Sequence, residues 1–278
     1  ARLGERGFES QASAGAFTAL LTFSRRSPAP EHQLCGIDAS APDTPAAKAE
    51  VLVNGKAVQV GQAGQLENPD GAVSFDASNY SHTLKEYGTA YQGIATSDYS
   101  QFGRSYWELS ALTEEWVAQQ STVEHTVHYG GLEHVLFWEK GLGRLSQSAQ
   151  ARIQGLEAIG KVGVVVSQMR QLPAALFSGS FFDNNCSALV VDDPKNLPAI
   201  WAFCSSLDYN RAVRAIDQKV SVTNATLVKV PIDLAHWGKV AAEKYPHGLP
   251  KPFSSDPTQW LFNGLPKGSD QPLHVGLA

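Results

Sequence analysis

The sequence predicts an α/β protein of the mixed α+β kind, and three observations lead to this fold class. Short β-prone runs at Lys161–Val166, Ala174–Phe177 and Ser187–Val191 are separated by Gly and Asn. Pro194–Ser206 is an apolar stretch and Leu234–Tyr245 an amphipathic one, and both predict helices. The 24 glycines and 15 prolines are spread along the 278 residues, which indicates many short elements rather than a helical bundle.

The first 80 residues predict two strands and one helix. Ala14–Phe23 is continuously apolar, as expected of a strand buried on both faces of an α/β sheet. Gln33–Ala39 predicts a second strand. Asp43–Val53 predicts a helix with Pro45 in its first turn. These elements are typical of the last strands of a larger domain.

The rest of the chain predicts a separate domain. A connector rich in Gly, Asn, Asp and Ser places the boundary near residues 76–92, which gives domains at residues 1–80 and 81–250 and a loosely structured tail at 251–278. Further predicted elements are helices at Ser81–Ala90, Gln147–Leu156 and Tyr209–Ile216, a short helix or turn at Tyr99–Trp107, and strands at Trp116–Gln119, Leu132–Trp138 and Val220–Thr223.

Charge is distributed unevenly along a chain whose net charge is −5. Residues 31–139 carry four Lys or Arg against fifteen Asp or Glu, whereas residues 140–229 carry ten against six. A phosphate-facing surface on the second block is one interpretation of this asymmetry. Basic residues spread over a solvated face are the other, and charge alone leaves both open.

Cysteine usage and hydropathy indicate a cytoplasmic protein without a membrane partner. Cys35, Cys186 and Cys204 are widely spaced and form neither a disulfide framework nor a metal knuckle. The apolar run near the start is too short to span a bilayer. The chain begins at Ala1, and Met169 is its only methionine, so we expect a piece of a longer protein.

Several enzyme classes are excluded by missing motifs. Gly141-Leu142-Gly143 lacks the third glycine of a dinucleotide loop, and neither a P-loop nor a Gly-x-Ser-x-Gly elbow occurs. Adenine methylation would use an Asn-Pro-Pro-Tyr type of motif, and Asn68-Pro69-Asp70 matches only its start. We therefore assign no catalytic and no cofactor-binding residue in this chain.

The densest titratable cluster comprises Glu124, His125, His128, Glu133 and His134. Two histidines three apart on a helix, with a carboxylate, could bind a divalent metal. The neighbouring Thr and Val residues favour a strand, in which positions three apart point to opposite faces. We assign no metal ligand and expect loop histidines.

Binding remains, and aromatic and polar side chains on loops suit contacts with DNA. The residues that could contact bases are Ser97, Gln101, Gln119 and Gln120, with the aromatic Tyr129 among them. The residues that could position the phosphate backbone are Arg104, Lys140, Arg144, Lys161 and Arg170.

Five segments, in order, resemble adenine-N6 DNA methyltransferases of the type IIG kind. ARLGERGFESQASAGAFTALLTFSRR resembles the segment that closes their catalytic domain. GIATSDYSQFGRSYWEL and HYGGLEHVLFWEKG are similar to segments of their downstream specificity region. LFSGSFFDNNCSALVVDDPKNLPAIWAFCSSLDYNRAVRAID and VTNATLVKVPID are similar to their closing pattern. The chain departs from the family at Ser97, Tyr99 and His128, where Gly, Asn and Trp are usual.

The resemblance implies the tail of an α/β methyltransferase sheet followed by a mixed α+β target-recognition domain. The parent would be a site-specific DNA methyltransferase of a restriction–modification or related phage-defence system. Its own N-terminal catalytic domain would bind S-adenosyl-L-methionine, flip an adenine and methylate it, while this chain grips double-stranded DNA and is inactive alone. The alternatives are a non-catalytic DNA-specificity or scaffold protein and a metal-dependent hydrolase that uses the cluster at residues 124–134.

Overall fold

The computed structural model describes residues 1–10, 16, 18–67, 73, 75, 82–217 and 219–251. The chain divides into two compact units, Ala1–Ser81 and His82–Ala278. Helices occur together with antiparallel and mixed sheets, which confirms the predicted mixed α+β class. None of the helices in the described part has the length and apolarity that a membrane crossing requires.

Two antiparallel ribbons and one helix form the N-terminal unit. The ribbons pair β1 (Arg2–Gly4) with β2 (Thr18–Ala19) and β3 (Gln33–Gly36) with β4 (Val58–Gly61), and the helix is α1 (Pro45–Asn54). The predicted strand at Gln33 and helix at Pro45 are confirmed. Thr44 caps this helix by accepting a hydrogen bond from the N–H of Ala47, at 3.3 Å.

Lys48 ties α1 to the rest of the N-terminal unit. Its side chain is only 2% exposed, although lysine usually keeps its ammonium in water. Its Nζ donates to the carbonyl oxygens of Leu3 at 2.8 Å, Ala39 at 3.1 Å and Ser40 at 3.0 Å. Three carbonyl dipoles thus replace water around the buried ammonium.

The strand predicted at Ala14–Phe23 is wrong in length and in burial. Only Thr18–Ala19 is extended and paired, and residues 11–15 and 17 lie outside the described residues. Leu20, Leu21 and Phe23 are 53%, 71% and 83% exposed. Apolar continuity predicted a strand covered on both faces, but this ribbon has two strands, and among the described residues it gains no third.

The C-terminal unit contains eight strands and six α-helices in its described part. The strands are β5 (Gly88–Gln92), β6 (Gly103–Ser105), β7 (Trp116–Gln120), β8 (His134–Phe137), β9 (Gly163–Ser167), β10 (Ala174–Phe177), β11 (Phe181–Phe182) and β12 (Cys186–Val191). The helices are α2 (Tyr99–Phe102), α3 (Arg144–Gln147), α4 (Leu197–Cys204), α5 (Leu207–Ile216), α6 (Asn224–Val228) and α7 (Leu234–Lys244).

Two four-stranded sheets organise this unit. The first is antiparallel in the order β10-β9-β12-β5, and the second is mixed in the order β11-β7-β8-β6, with β11 parallel to β7. Every residue of β9, β10 and β12 is buried. Val164 and Val166 face the core formed with α4 to α7, whereas Val165 faces a second cluster with Phe177. Burial on both faces explains the continuous apolar runs, and the strands predicted there are confirmed.

Three other predicted elements are wrong. Ser81–Ala90 is not a helix, because a short 3₁₀ turn at Leu84–Glu86 leads into β5, whose pairing with β12 outweighs local helix propensity. Gln147–Leu156 contains only the end of α3, and then an extended stretch in which Arg152 pairs with Ala95. Val220–Thr223 contributes a single bridge rather than a strand. The predicted tail lies outside the described residues from residue 252 onward.

All three cysteines are free. Cys35 is exposed on β3, whereas Cys186 and Cys204 are fully enclosed in the C-terminal unit. Burial raises the pKa of both enclosed thiols well above the usual range.

Candidate functional site

A polar cleft of about 390 Å³ lies where the second sheet meets two connecting segments. Its lining residues are Ile94, Ala95, Thr96, Ser97, Tyr99, Gln119, Arg152, Asp183, Asn184 and Asn185. Backbone bridges fix the walls, because Ile94 pairs with Asp183 and Ala95 pairs with Arg152. The cleft is therefore built on paired backbone rather than on free loops.

Gln119 is the most unusual side chain in the cleft. It is 1% exposed, and neither its Nε2 nor its Oε1 has a hydrogen-bond partner. Alternation along β7 places it on the face of Val117, which packs against the cluster of Ile94, Phe102 and Leu136. A buried donor or acceptor without a partner costs about 1–3 kcal/mol. Such a cost at a cleft indicates a position that a bound partner satisfies.

Gln120 points to the opposite face of β7 and is enclosed completely. Its Nε2 donates to the carbonyl oxygens of Gly130 at 2.9 Å and Leu176 at 3.1 Å. The amide of Gln120 thus holds two segments of the unit together. Although the sequence made Gln120 a candidate for base contact, the structure places it in the interior.

Tyr99 and His134 form one wall. The Tyr99 hydroxyl lies 2.7 Å from Nδ1 of His134, and the Tyr99 side chain remains 45% exposed. Burial, followed by the negative charges of Asp183 and Glu108, raises the pKa of Tyr99. The phenol is therefore neutral at physiological pH and can donate a hydrogen bond.

A turn from Asp183 to Asn185 forms the opposite wall. The Asp183 carboxylate accepts hydrogen bonds from the Ser121 hydroxyl at 2.5 Å and from the backbone N–H of Asn185 at 2.9 Å. The carbonyl oxygen of Asn184 accepts one from Gln92 Nε2 at 2.5 Å. These contacts leave the carboxylate as a structural acceptor, and no nucleophile lies against it.

The sequence analysis did not select Asp183, Asn184, Asn185 or Arg152. An Asp-Asn-Asn triplet directly after the apolar pair Phe181-Phe182 is a turn signal that could have identified three of them. No local signal marks Arg152, because its place in the cleft depends on pairing with Ala95, 57 positions earlier in the chain.

Ser97 and Gln119 are the two predicted DNA contacts that the structure brings into the cleft. Ser97 has a positive φ of 61°, and its hydroxyl donates to the Gln150 carbonyl oxygen at 2.5 Å. Gln101 is exposed on the adjoining α2. Arg104 follows on β6, and its guanidinium donates to the carbonyl oxygens of Ser100 and Gly103.

The other predicted contacts do not line the cleft. Lys140 forms an exposed ion pair with Glu114, at 2.6 Å. The Tyr129 hydroxyl donates to the Pro250 carbonyl oxygen at 2.8 Å. The remaining three are exposed cations: Arg144, Lys161 and Arg170.

The cluster at residues 124–134 is dispersed by the fold. His128 lies between Trp201 and Tyr245, with ring centroids 5.4 and 5.5 Å away, whereas His134 lies against Tyr99. Burial, followed by the positive charge of Lys244, lowers the pKa of His128. Within the described ranges, no three His, Cys, Asp or Glu side chains are placed to hold a metal ion. This geometry gives no support to the metal-dependent hydrolase.

Comparison with known proteins adds no family. No protein-family model matches the chain, and no curated protein matches it either.

Proposed function

We propose that this chain is the DNA target-recognition region of a site-specific adenine-N6 DNA methyltransferase of a restriction–modification or related phage-defence system. One geometric observation carries the proposal. Two segments that resemble this family, residues 93–109 and 176–217, are 83 positions apart at their starts, and both supply walls of one polar cleft. Between these walls lies Gln119, a buried side chain with an unpaired amide.

The residue types around the cleft suit contacts with nucleic acid. Amide, hydroxyl and guanidinium groups are those that contact base edges and phosphates in protein–DNA complexes. The exposed cations Arg144, Lys161 and Arg170 would contact the phosphate backbone. Such contacts position a protein on the duplex without selecting a sequence, so selection would rest with the cleft.

The chemistry would belong to an upstream catalytic domain of the same protein. S-Adenosyl-L-methionine supplies the methyl group when bound there. This chain contains no Gly-rich cofactor loop and no Asn-Pro-Pro-Tyr motif, so none of its residues is assigned to the cofactor. In this proposal residues 1–80 close the catalytic domain, residues 81–250 recognise DNA, and the protein acts in the cytoplasm, where its double-stranded DNA substrate lies.

A non-catalytic DNA-specificity or scaffold protein is the second candidate, favoured by the absence of methylation motifs from this chain. The sequence encoded upstream of Ala1 separates the two candidates. An Asn-Pro-Pro-Tyr motif there supports the methyltransferase, and its absence contradicts it. Methylation mapping of DNA from cells that carry the full-length gene then shows whether adenines within one recurring sequence are modified.

Duplex binding by the chain tests the recognition role directly. We expect weak binding whose affinity falls steeply as salt rises, because phosphate contacts release counterions. Lys161→Ala should reduce the slope of log affinity against log salt by about 1. Lys239→Ala, an exposed lysine on α7, is the matched control and should leave the slope unchanged. Affinity that does not change between low and physiological salt would contradict the proposal.

A further inference from the structure

We infer that Gln119 selects one adenine of the recognised DNA site by pairing its amide with the major-groove edge of that base. The inference rests on the proposed function and deepens it, because it names the residue and the base. It starts from the unsatisfied amide and not from the resemblance.

The amide of Gln119 offers a donor and an acceptor side by side, and both are unused. In the described part of the chain it is one of two buried glutamines with unpartnered side-chain atoms, and the only one of the two that lines a cleft. Gln120 spends its donor on two backbone carbonyl oxygens. Because Gln119 forms no hydrogen bond, either orientation of its amide is compatible with the fold, and a ligand can fix it.

Adenine is the base whose major-groove edge matches this pair. It presents an N6 amino donor beside the N7 acceptor, so that a glutamine amide can form two hydrogen bonds with it. Guanine presents two acceptors at the same edge, cytosine a donor, and thymine an acceptor with a methyl group. A cleft with this amide at its floor therefore discriminates by chemistry as well as by shape.

The backbone holds Gln119 rigidly, which a selective contact requires. β7 is paired on both sides, and Gln119 itself lies opposite His134 of β8 and Phe181 of β11. The aromatic side chain of Tyr99 stands at the wall and is 45% exposed, where it can lie against the entering base. Asn184 and Asn185 line the other wall and offer further polar groups to the sugar–phosphate chain.

The test selects binding sites from a randomised duplex library with the purified chain and sequences the bound pool. The wild-type chain should enrich a motif with at least one fixed adenine. Gln119→Leu should lose that preference and keep the others, whereas Gln59→Leu, the same change at an exposed strand glutamine, should keep them all. Gln119→Glu should move the preference from adenine to cytosine, because a carboxylate accepts from the cytosine amino group.

Chemical substitution of the DNA checks the contact itself. Replacing the fixed adenine by 7-deazaadenine removes the N7 acceptor and should weaken wild-type binding about 5- to 100-fold. The same replacement should have no effect on Gln119→Leu. Melting temperature controls for folding, and Gln119→Leu should melt no lower than wild type, since it removes two unmet polar groups.

The outcomes separate this inference from the proposed function. If no motif is enriched, recognition of DNA by this chain is contradicted. If a motif is enriched and Gln119→Leu selects the same one, or if 7-deazaadenine binds as well as adenine, DNA recognition stands and the role of Gln119 is overturned. Gln119-dependent binding of free adenosine monophosphate, without Gln119-dependent selection of duplexes, would also overturn it.

Discussion

The hydroxyl of Tyr99 lies 2.7 Å from Nδ1 of His134, and the two rings meet edge to face with their centroids 5.9 Å apart. This pair joins α2 to β8, two elements that are distant in sequence. It also fixes the ring that forms one wall of the cleft. The positions of Tyr99 and Gln119 are thus linked through β8, because His134 is the residue that lies opposite Gln119 in the sheet.

Removing the Tyr99 hydroxyl should loosen this wall while keeping its aromatic surface. We expect Tyr99→Phe to lower the free energy of unfolding by about 0.5–1.5 kcal/mol, the usual contribution of one hydrogen bond. Denaturant titration measures the change. Tyr106→Phe is the control, because Tyr106 packs on Trp107 and its hydroxyl has no hydrogen bond among the described residues. Equal losses in the two variants would contradict the role of the Tyr99–His134 bond.

Replacing Lys48 should destabilise the N-terminal unit. Lys48→Met keeps the length of the side chain but leaves three carbonyl oxygens without their donor, and each unmet acceptor costs about 1–3 kcal/mol when water cannot reach it. We expect faster amide hydrogen exchange and proteolysis within residues 1–61, with no change in β9, β10 or β12. The exposed Lys56→Met should behave like wild type. Unchanged exchange in Lys48→Met would show that the buried ammonium is not needed.

Two glycines with the same backbone conformation give a matched pair. Gly155 and Gly160 have φ values of +73° and +77°, so that alanine at either position is strained by about 1–2 kcal/mol. At Gly155 the added Cβ would also lie 2.3 Å from the Gln92 carbonyl oxygen, whereas at Gly160 nothing lies within 4 Å. Gly155→Ala should therefore lower the melting temperature clearly more than Gly160→Ala. Equal shifts would mean that the backbone near Gln92 moves aside at little cost.

The stability of the C-terminal unit should fall on mild acidification because of His128. Its pKa is lowered from the ordinary value of 6.5 in the folded state, which means that folding favours the neutral imidazole. The stabilisation is thus present above pH 6.5 and is lost as the pH falls through the lowered pKa. His128→Gln should make the decline of melting temperature below pH 6.5 shallower, and His247→Gln, an exposed histidine, should not. Parallel curves for wild type and His128→Gln would contradict this.

The sequence predicts best where one local property controls the structure. The apolar β-branched run at 163–166 could be assigned to a strand, because burial on both faces of a sheet leaves no polar position. Thr44 and Pro45 begin α1 as their side chains dictate. Elements defined by distant pairing were predicted poorly. β5 depends on β12, about a hundred positions later, so the helix-like composition of residues 81–90 gave the wrong structure.

The cleft was predictable only in part, for the same reason. Gln119 and Gln120 are adjacent and chemically identical, and strand alternation shows that they point to opposite faces. It does not show which amide finds partners, because Gly130 and Leu176 reach Gln120 only through the folded chain. The separation of the histidines between the Trp201 side and the Tyr99 side has the same origin.

The contrast among the three cysteines gives the N-terminal unit a single chemical handle. Cys186 and Cys204 are enclosed and their thiols resist ionisation, and only the thiolate attacks an electrophile. A maleimide reagent at neutral pH should therefore add one mass increment to the native protein, at Cys35, and three after unfolding in denaturant. A fluorophore attached at this position would report how the N-terminal ribbons respond when DNA is added, without any engineered cysteine.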